Sequence, residues 1–259
     1  MGILAQMIPF GMRRLLEAEK VIVLGNQKSG TTALAKLVSL AAGESLTNDI
    51  EYFWEEYLVE RTQSKRDLNW ALRRQREEFQ ARIIKEPNLS FYFSELLELF
   101  PNAKFIWIFR GPVQNIRSIC ERLDVSAEEL MAPISKFDYS LHKRRPYWKW
   151  VFENPEFYPH TKTILESLVG RYKVLYEIWS KHSKHCMTVG YESFEANKIP
   201  LIKQVLEYCG LEYRYDIKDK IDVAYQPAGA RAALPNEIVG YIEAQCAREM
   251  NKVSAFLGN

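Results

Sequence analysis

Charge of either sign is nearly cancelled in this 259-residue chain, where 35 Lys and Arg meet 33 Asp and Glu for a net +2. So small an excess gives no bulk attraction to polyanions, and no nucleic-acid partner is expected. Histidine is scarce too. His142, His160, His182 and His185 form no ligand pattern with cysteines or carboxylates, so no metal site is expected. The four cysteines, Cys120, Cys186, Cys209 and Cys246, are far apart with no C-x-x-C pair, which reads as buried thiols in a reducing, cytoplasmic compartment. No apolar run suits a bilayer span. The segment Met1 to Arg14 is apolar first and basic second, the reverse of a secretory signal, and Gln6 stands where a myristoylated Gly2 wants Ser or Thr. It is read as a packing arm, with peripheral attachment to a membrane as the alternative. Internal repeats, low-complexity runs and dividing linkers are absent as well. What remains, 47% hydrophobic and 26% charged residues, suits one globular α/β domain over 1–259.

That domain is organised around Val21 to Leu37, V-I-V-L-G-N-Q-K-S-G-T-T-A-L-A-K-L. Val21, Ile22, Val23 and Leu24 are apolar without alternation, as in a strand covered on both faces of a parallel sheet. Gly25 and Gly30 permit backbone angles that other residues resist, and Thr31 and Thr32 stand where a helix would start. A helix start with successive N–H groups and a nearby lysine is an anion site, most commonly for phosphate. The nucleotide-hydrolysing loop G-x-x-x-x-G-K-[ST] shares the glycine spacing, but there the lysine follows the second glycine. Here residue 31 is threonine and the lysine is Lys28, inside the loop.

The segment Gln27-Lys28-Ser29-Gly30-Thr31-Thr32 resembles the 5′-phosphosulfate loop of sulfotransferases that use 3′-phosphoadenosine-5′-phosphosulfate (PAPS). That family places an arginine at the end of a hydrophobic strand and a serine eight residues later, both on the 3′-phosphate. Arg110, after F-I-W-I-F, and Ser118 match this pattern. Tyr191 in Y-E-S-F, after the apolar run Cys186 to Val189, is similar to the family's strand-end Y-E-D-L near the adenine. The resemblance implies a P-loop-like sulfotransferase fold: a single three-layer α/β domain whose central, mostly parallel sheet is flanked by helices. It also implies transfer of a sulfuryl group from PAPS to a hydroxyl or amine, with the acceptor, a glycan or a small molecule, left open. Gln27 to Thr32, Arg110, Ser118 and Tyr191 are the implied nucleotide-binding residues.

Lys28 is the implied catalytic cation on the leaving-group side, and Lys85 in I-I-K-E-P resembles the family's strand-end lysine. Cytosolic aryl and steroid sulfotransferases carry a catalytic histidine two residues after that lysine; here the position is Pro87. The chain is therefore more similar to the glycan- and protein-type branches, whose base is a carboxylate after the first helix, four residues before a phenylalanine. Asp49 in D-I-E-Y-F matches that spacing to Phe53, Glu51 stands two positions off, and Glu86 is a third candidate that reads more simply as the ion-pair partner of Lys85. The cytosolic C-terminal R-K-G loop is lacking, and whether Gly229-Ala230-Arg231 substitutes for it is left open. A metal is not required, because the leaving phosphate is already held by donors.

Elsewhere the pattern predicts a helix over Thr31 to Ala42, a basic helix over Lys65 to Gln80, short strands at Ala81 to Lys85 and Phe105 to Phe109, and helices over Tyr92 to Leu99, Thr163 to His182, Ile199 to Gly210 and Glu237 to Leu257. Residues of roughly 123–160 break the pattern and form an insertion. Within it, Lys136 to Trp150 interleaves basic and aromatic residues, read either as a lid or acceptor surface or as an amphipathic surface helix. Two other classes stay open: a P-loop nucleotide kinase or NTPase, and a non-catalytic nucleotide-binding protein.

Overall fold

The computed structural model describes residues 15–54, 56–141, 145–154, 156–222 and 233–258. Among them five strands form one sheet in the order β2-β3-β1-β4-β5: β1 (Val21–Gly25), β2 (Leu46–Asn48), β3 (Ile83–Lys85), β4 (Lys104–Phe109) and β5 (Cys186–Gly190). Every pairing is parallel, with Ile22 opposite both Ile84 and Phe105. Val21 to Leu24 are wholly buried, which explains an apolar run without alternation.

Successive side chains point to opposite faces, so the strand residues sort into two layers of core. Ile22, Leu24, Ile84, Phe105 and Trp107 pack on one face with helices α4 (Phe93–Leu99) and α8 (Ile164–His182). Val21, Val23, Ile83, Ile106 and Ile108 pack on the other with α1 (Thr31–Ala42) and α10 (Lys198–Cys209). This is the expected three-layer α/β architecture. Gly43, with φ 69°, stops α1 by donating its N–H to the Ser39 carbonyl at 2.8 Å.

The single basic helix expected over Lys65 to Gln80 is instead a short helix and a separate 3₁₀ turn. Helix α2 (Glu56–Ser64) ends before Lys65, whose φ of 52° breaks the helix, and Asp67 then caps α3 (Leu68–Arg74) by accepting from the Trp70 N–H at 2.8 Å. Glu78–Gln80 is a separate 3₁₀ turn that buries Phe79. Leu68 and Leu72 are buried as the apolar spacing requires.

Helices α5 (Pro112–Leu123), α6 (Ala127–Met131), α7 (Arg145–Phe152), α9 (Tyr191–Ala196) and α11 (Asn236–Leu257) complete the chain. A third apolar cluster joins Ile119 of α5, Trp148 and Phe152 of α7, Leu168 of α8 and Ile242 of α11. Within the basic and aromatic stretch, Trp148 is buried, Phe137 meets Phe152 edge-on and Tyr139 donates to Glu153 at 2.6 Å, while Lys136 and Lys149 are exposed. These side chains divide as an amphipathic surface segment does. His142, Lys143, Arg144, the arm Met1 to Arg14 and Gly229 to Arg231 lie outside the described residues. All four cysteines are free thiols, and burial pushes Cys120 up to about 12 and Cys186 up to about 11, which leaves them unreactive.

Candidate functional site

The carboxyl ends of the strands deliver, in spatial order, Asp49, Lys85, the loop 26–30, Arg110 and Tyr191 to one edge of the sheet. The chain leaves β1 over the face holding α1 and leaves β3 over the face holding α4. Divergent exits from adjacent parallel strands open a crevice between their ends, and here the crevice lies between the 26–30 loop and Lys85.

In the loop, consecutive carbonyls are tied back into the protein. Gly25 O accepts from Ser90 Oγ at 3.1 Å, Asn26 O from Ser29 Oγ at 2.6 Å, Gln27 O from Asn115 Nδ2 at 2.7 Å and Lys28 O from Arg110 Nη1 at 2.9 Å. Lys28 takes the left-handed conformation, with φ 64°. Gly30 follows at φ 95° as the N-cap of α1, without a side-chain cap, so the amides of Thr31 and Thr32 open the first helical turn with no intrahelical acceptor. A Cβ at Gly30 would stand 2.6 Å from Cδ2 of Tyr191, so only glycine fits. The arrangement presents N–H groups and withdraws oxygens, which is the chemistry of an anion cradle.

Arg110 links the loop to the strand on its other side. Its guanidinium lies 4.3 Å from the ring centroid of Tyr191, a stacked cation–π geometry. Ser118 is half-buried on α5, the helix that begins just past Arg110.

On the opposite flank, Lys85 is 3% exposed and its Nζ forms an ion pair with Asp49 Oδ1. Asp49 sits at φ 65°, donates its N–H to Lys85 O at 2.9 Å and accepts from Asn48 Nδ2 at 2.9 Å. Its carboxylate thus faces the crevice edge, fixed on two sides. Glu51 does not share this position: the positive φ of Asp49 ends the extended run, and Glu51, itself exposed, opens the 3₁₀ turn Glu51–Phe53. The reading of Glu86 as Lys85's ion-pair partner is corrected, since Asp49 holds that place. Alternation along the strand end sends Glu86 inward, fully buried, where its carboxylate accepts from Ile50 N at 3.0 Å, Asn88 N at 2.9 Å and Trp54 Nε1 at 3.2 Å. Burial pushes its pKa up to about 7, against the lowering effect of the Lys85 ammonium.

The sequence reading missed the polar layer beneath the loop. Asn26 Nδ2 donates to Asn115 Oδ1 at 2.9 Å, Gln27 Nε2 donates to Asn88 Oδ1 at 2.9 Å, and Asn88 Nδ2 donates to Phe53 O at 3.0 Å. Arg171 of α8 is fully buried under them and donates to Asn26 Oδ1 at 2.7 Å, to Gln27 Oε1 and to Asn88 Oδ1 at 3.2 Å. The one sequence signal for it was a charged residue between Leu168 and Leu175 on an otherwise apolar helical stripe.

Among the described residues no group of three His, Cys, Asp or Glu is placed to hold a metal ion, and no helix is long and apolar enough to cross a membrane.

The chain belongs to the sulfotransferase family, whose profile matches residues 42–215. Asp49, Lys85, Arg110, Ser118 and Tyr191 fall within the match, and the 26–30 loop lies outside it, separated from its start by α1. Among solved structures, the chain is similar to a sulfotransferase from Alicyclobacillus acidocaldarius at 12% identity and TM-score 0.53, covering 93% of this chain and 96% of that one. It is also similar to sulfotransferase STF9 from Mycobacterium avium at 13% identity and TM-score 0.51, covering 96% and 78%. At these identities the likeness is one of fold. No curated protein sequence matches the chain.

Proposed function

We propose that this sulfotransferase uses PAPS and passes its sulfuryl group to a hydroxyl or amine acceptor, a glycan or a small molecule, through a carboxylate base. The observation that carries the proposal is the 26–30 loop with its carbonyls pinned inward, flanked by Lys28 and Arg110 on one side of the crevice and by the Asp49–Lys85 pair on the other. The residues present fit the nucleotide. Gly30 leaves room where any Cβ would collide with Tyr191, and the first-turn amides of Thr31 and Thr32 suit a 5′-phosphate. Gln27 and Ser29 are 3% and 1% exposed, so their role is to shape the loop from beneath. Arg110, with Ser118, is assigned to the 3′-phosphate, and the Tyr191 ring to the adenine end.

PAPS supplies the sulfuryl group. Lys28 provides the cation where negative charge grows on the departing phosphate, a role in which a preorganised donor acts on the transition state. Asp49 takes the acceptor's proton, and Lys85 orients the carboxylate through its ion pair. Pro87, where a histidine base would stand, and this carboxylate support a reading closer to the glycan- and protein-type branches.

Calorimetry with the product nucleotide, adenosine-3′,5′-bisphosphate, tests the assignment. Arg110→Ala should weaken it by about 2–4 kcal/mol, the scale of a charge-assisted pair, and leave 5′-AMP nearly unchanged. Equal losses for the two nucleotides, or tighter binding of ATP than of the bisphosphate by the unaltered protein, would reject the proposal.

A further inference from the structure

Arg171 is 0% exposed, and a guanidinium stays protonated in any protein interior. Its acceptors are neutral: Asn26 Oδ1, Gln27 Oε1, Asn88 Oδ1 and the Tyr158 hydroxyl at 3.4 Å, and its flat face covers Phe91 at 4.6 Å from the ring centroid. None of these partners is a carboxylate. A buried charge is normally paired, because hydrogen bonds to neutral oxygens replace water's donors and acceptors but do not cancel the charge. Buried Lys85 has Asp49 and half-buried Arg61 has Glu95 and Glu156, whereas buried Lys20 donates only to the Gln80 and Ala81 carbonyls. Arg171, fully buried and likewise held by neutral oxygens, is set apart by where those oxygens lie: two of its acceptors are the side chains of the residues that open the anion-cradling loop.

We infer that the anion bound on the outer side of the 26–30 loop is the missing counterion of Arg171, which makes Arg171 a positioning residue that sets both the shape of the loop and its positive potential. The inference rests on the loop's being a phosphate site. Asn26 and Gln27 connect the two roles: their side chains turn down to the guanidinium, while their carbonyls are fixed by Ser29 and Asn115. The charge is screened by protein rather than by water, so it acts on the anion at low effective dielectric. The protein holds its half of the ion pair in advance and the nucleotide brings the other half.

The test installs an internal rival. Asn26→Asp preserves side-chain size and the bond from Arg171 Nε, gives up only the donor to Asn115 Oδ1 and supplies a carboxylate, whereas Asn26→Ala removes both bonds and adds no charge. Binding of adenosine-3′,5′-bisphosphate and of inorganic pyrophosphate is measured by calorimetry for both variants, alongside their melting temperatures without ligand. If the anion is the counterion, Asn26→Asp binds both probes roughly tenfold or more weakly than the unaltered protein, and more weakly than Asn26→Ala, although it melts no lower than Asn26→Ala. A purely structural role predicts the reverse order, because Asp keeps the hydrogen bond and Ala does not; that order overturns the inference. Arg171→Lys and Arg171→Gln give an independent check, with Lys retaining more pyrophosphate affinity than Gln if charge matters, and equal affinities counting against it. If the unaltered protein binds neither probe, the phosphate-site reading falls and this inference falls with it. Tight binding by the unaltered protein and by Asn26→Asp alike removes only the counterion role.

Discussion

Glu86 gives the most quantitative forecast. Its carboxyl is fully buried and titrates near 7, against 4.5 for the free group, because desolvation outweighs the Lys85 ammonium and the N–H donors of Ile50 and Asn88. A raised carboxyl pKa means that the folded protein holds the proton more tightly than the unfolded chain. The group therefore costs nothing below the unfolded value, destabilises progressively as pH rises from about 4.5 to 7, and reaches its full cost above that. Between pH 5 and pH 8 the loss from this one group is about 2.5 kcal/mol, taking 1.36 kcal/mol per pH unit and the two titration midpoints. Urea denaturation of the unaltered protein and of Glu86→Gln at both pH values isolates it, since glutamine does not titrate. The stability of the unaltered protein relative to the variant should fall by that amount at the higher pH. A difference that stays constant, or that grows in favour of the unaltered protein as pH rises, would refute the reasoning, because the latter is the behaviour of a carboxylate stabilised by its partners.

Lys28→Ala should lower turnover by about 100-fold or more with a smaller effect on adenosine-3′,5′-bisphosphate affinity, as read from steady-state kinetics and calorimetry, and activity should survive EDTA. A strict magnesium requirement for transfer would instead point to a nucleotide kinase. Asp49→Asn should bind nucleotide normally, lose about 100-fold or more in turnover and flatten the acidic limb of the pH–rate profile, while Glu51→Gln stays active. The exposed position of Glu51 on its 3₁₀ turn strengthens that contrast, and inactivity of Glu51→Gln alone would reverse it.

Local signals made the frame of this protein legible. The uniformly apolar Val21 to Leu24 could only be a doubly covered strand, and the stop at Gly43 follows from its left-handed conformation. Strand β2 was missed because Leu46–Asn48 is a half-buried edge with no period to detect. The broken helix after Lys65 was missed because charge patterning says nothing of a positive φ. At the site, the strand-end placement of Lys85 and Arg110, the loop position of Lys28 and the place of Asp49 after the first helix were readable, since position along the chain suffices for that. Glu86 was misassigned because the direction of a side chain at a strand end depends on pleat, which adjacency to Lys85 conceals. Arg171 was unreadable in role, because its partners lie on the loop after β1, on the turn after β3 and on the loop before α8, and only folding brings them together.

The central place of β1 also shapes how the chain is made. Val21 finds its neighbours only in Ile83 on one side and Lys104 on the other. A ribosome adding roughly 5–20 residues per second therefore leaves this apolar strand without either neighbour for on the order of 10 seconds. Pairings so distant along the chain close slowly, and an unpaired apolar strand is a template for association with other chains. The strand that carries the phosphate-type loop is thus made ahead of both its partners, so the yield of folded protein should depend on chaperone capacity during that interval more than on the stability of the finished sheet.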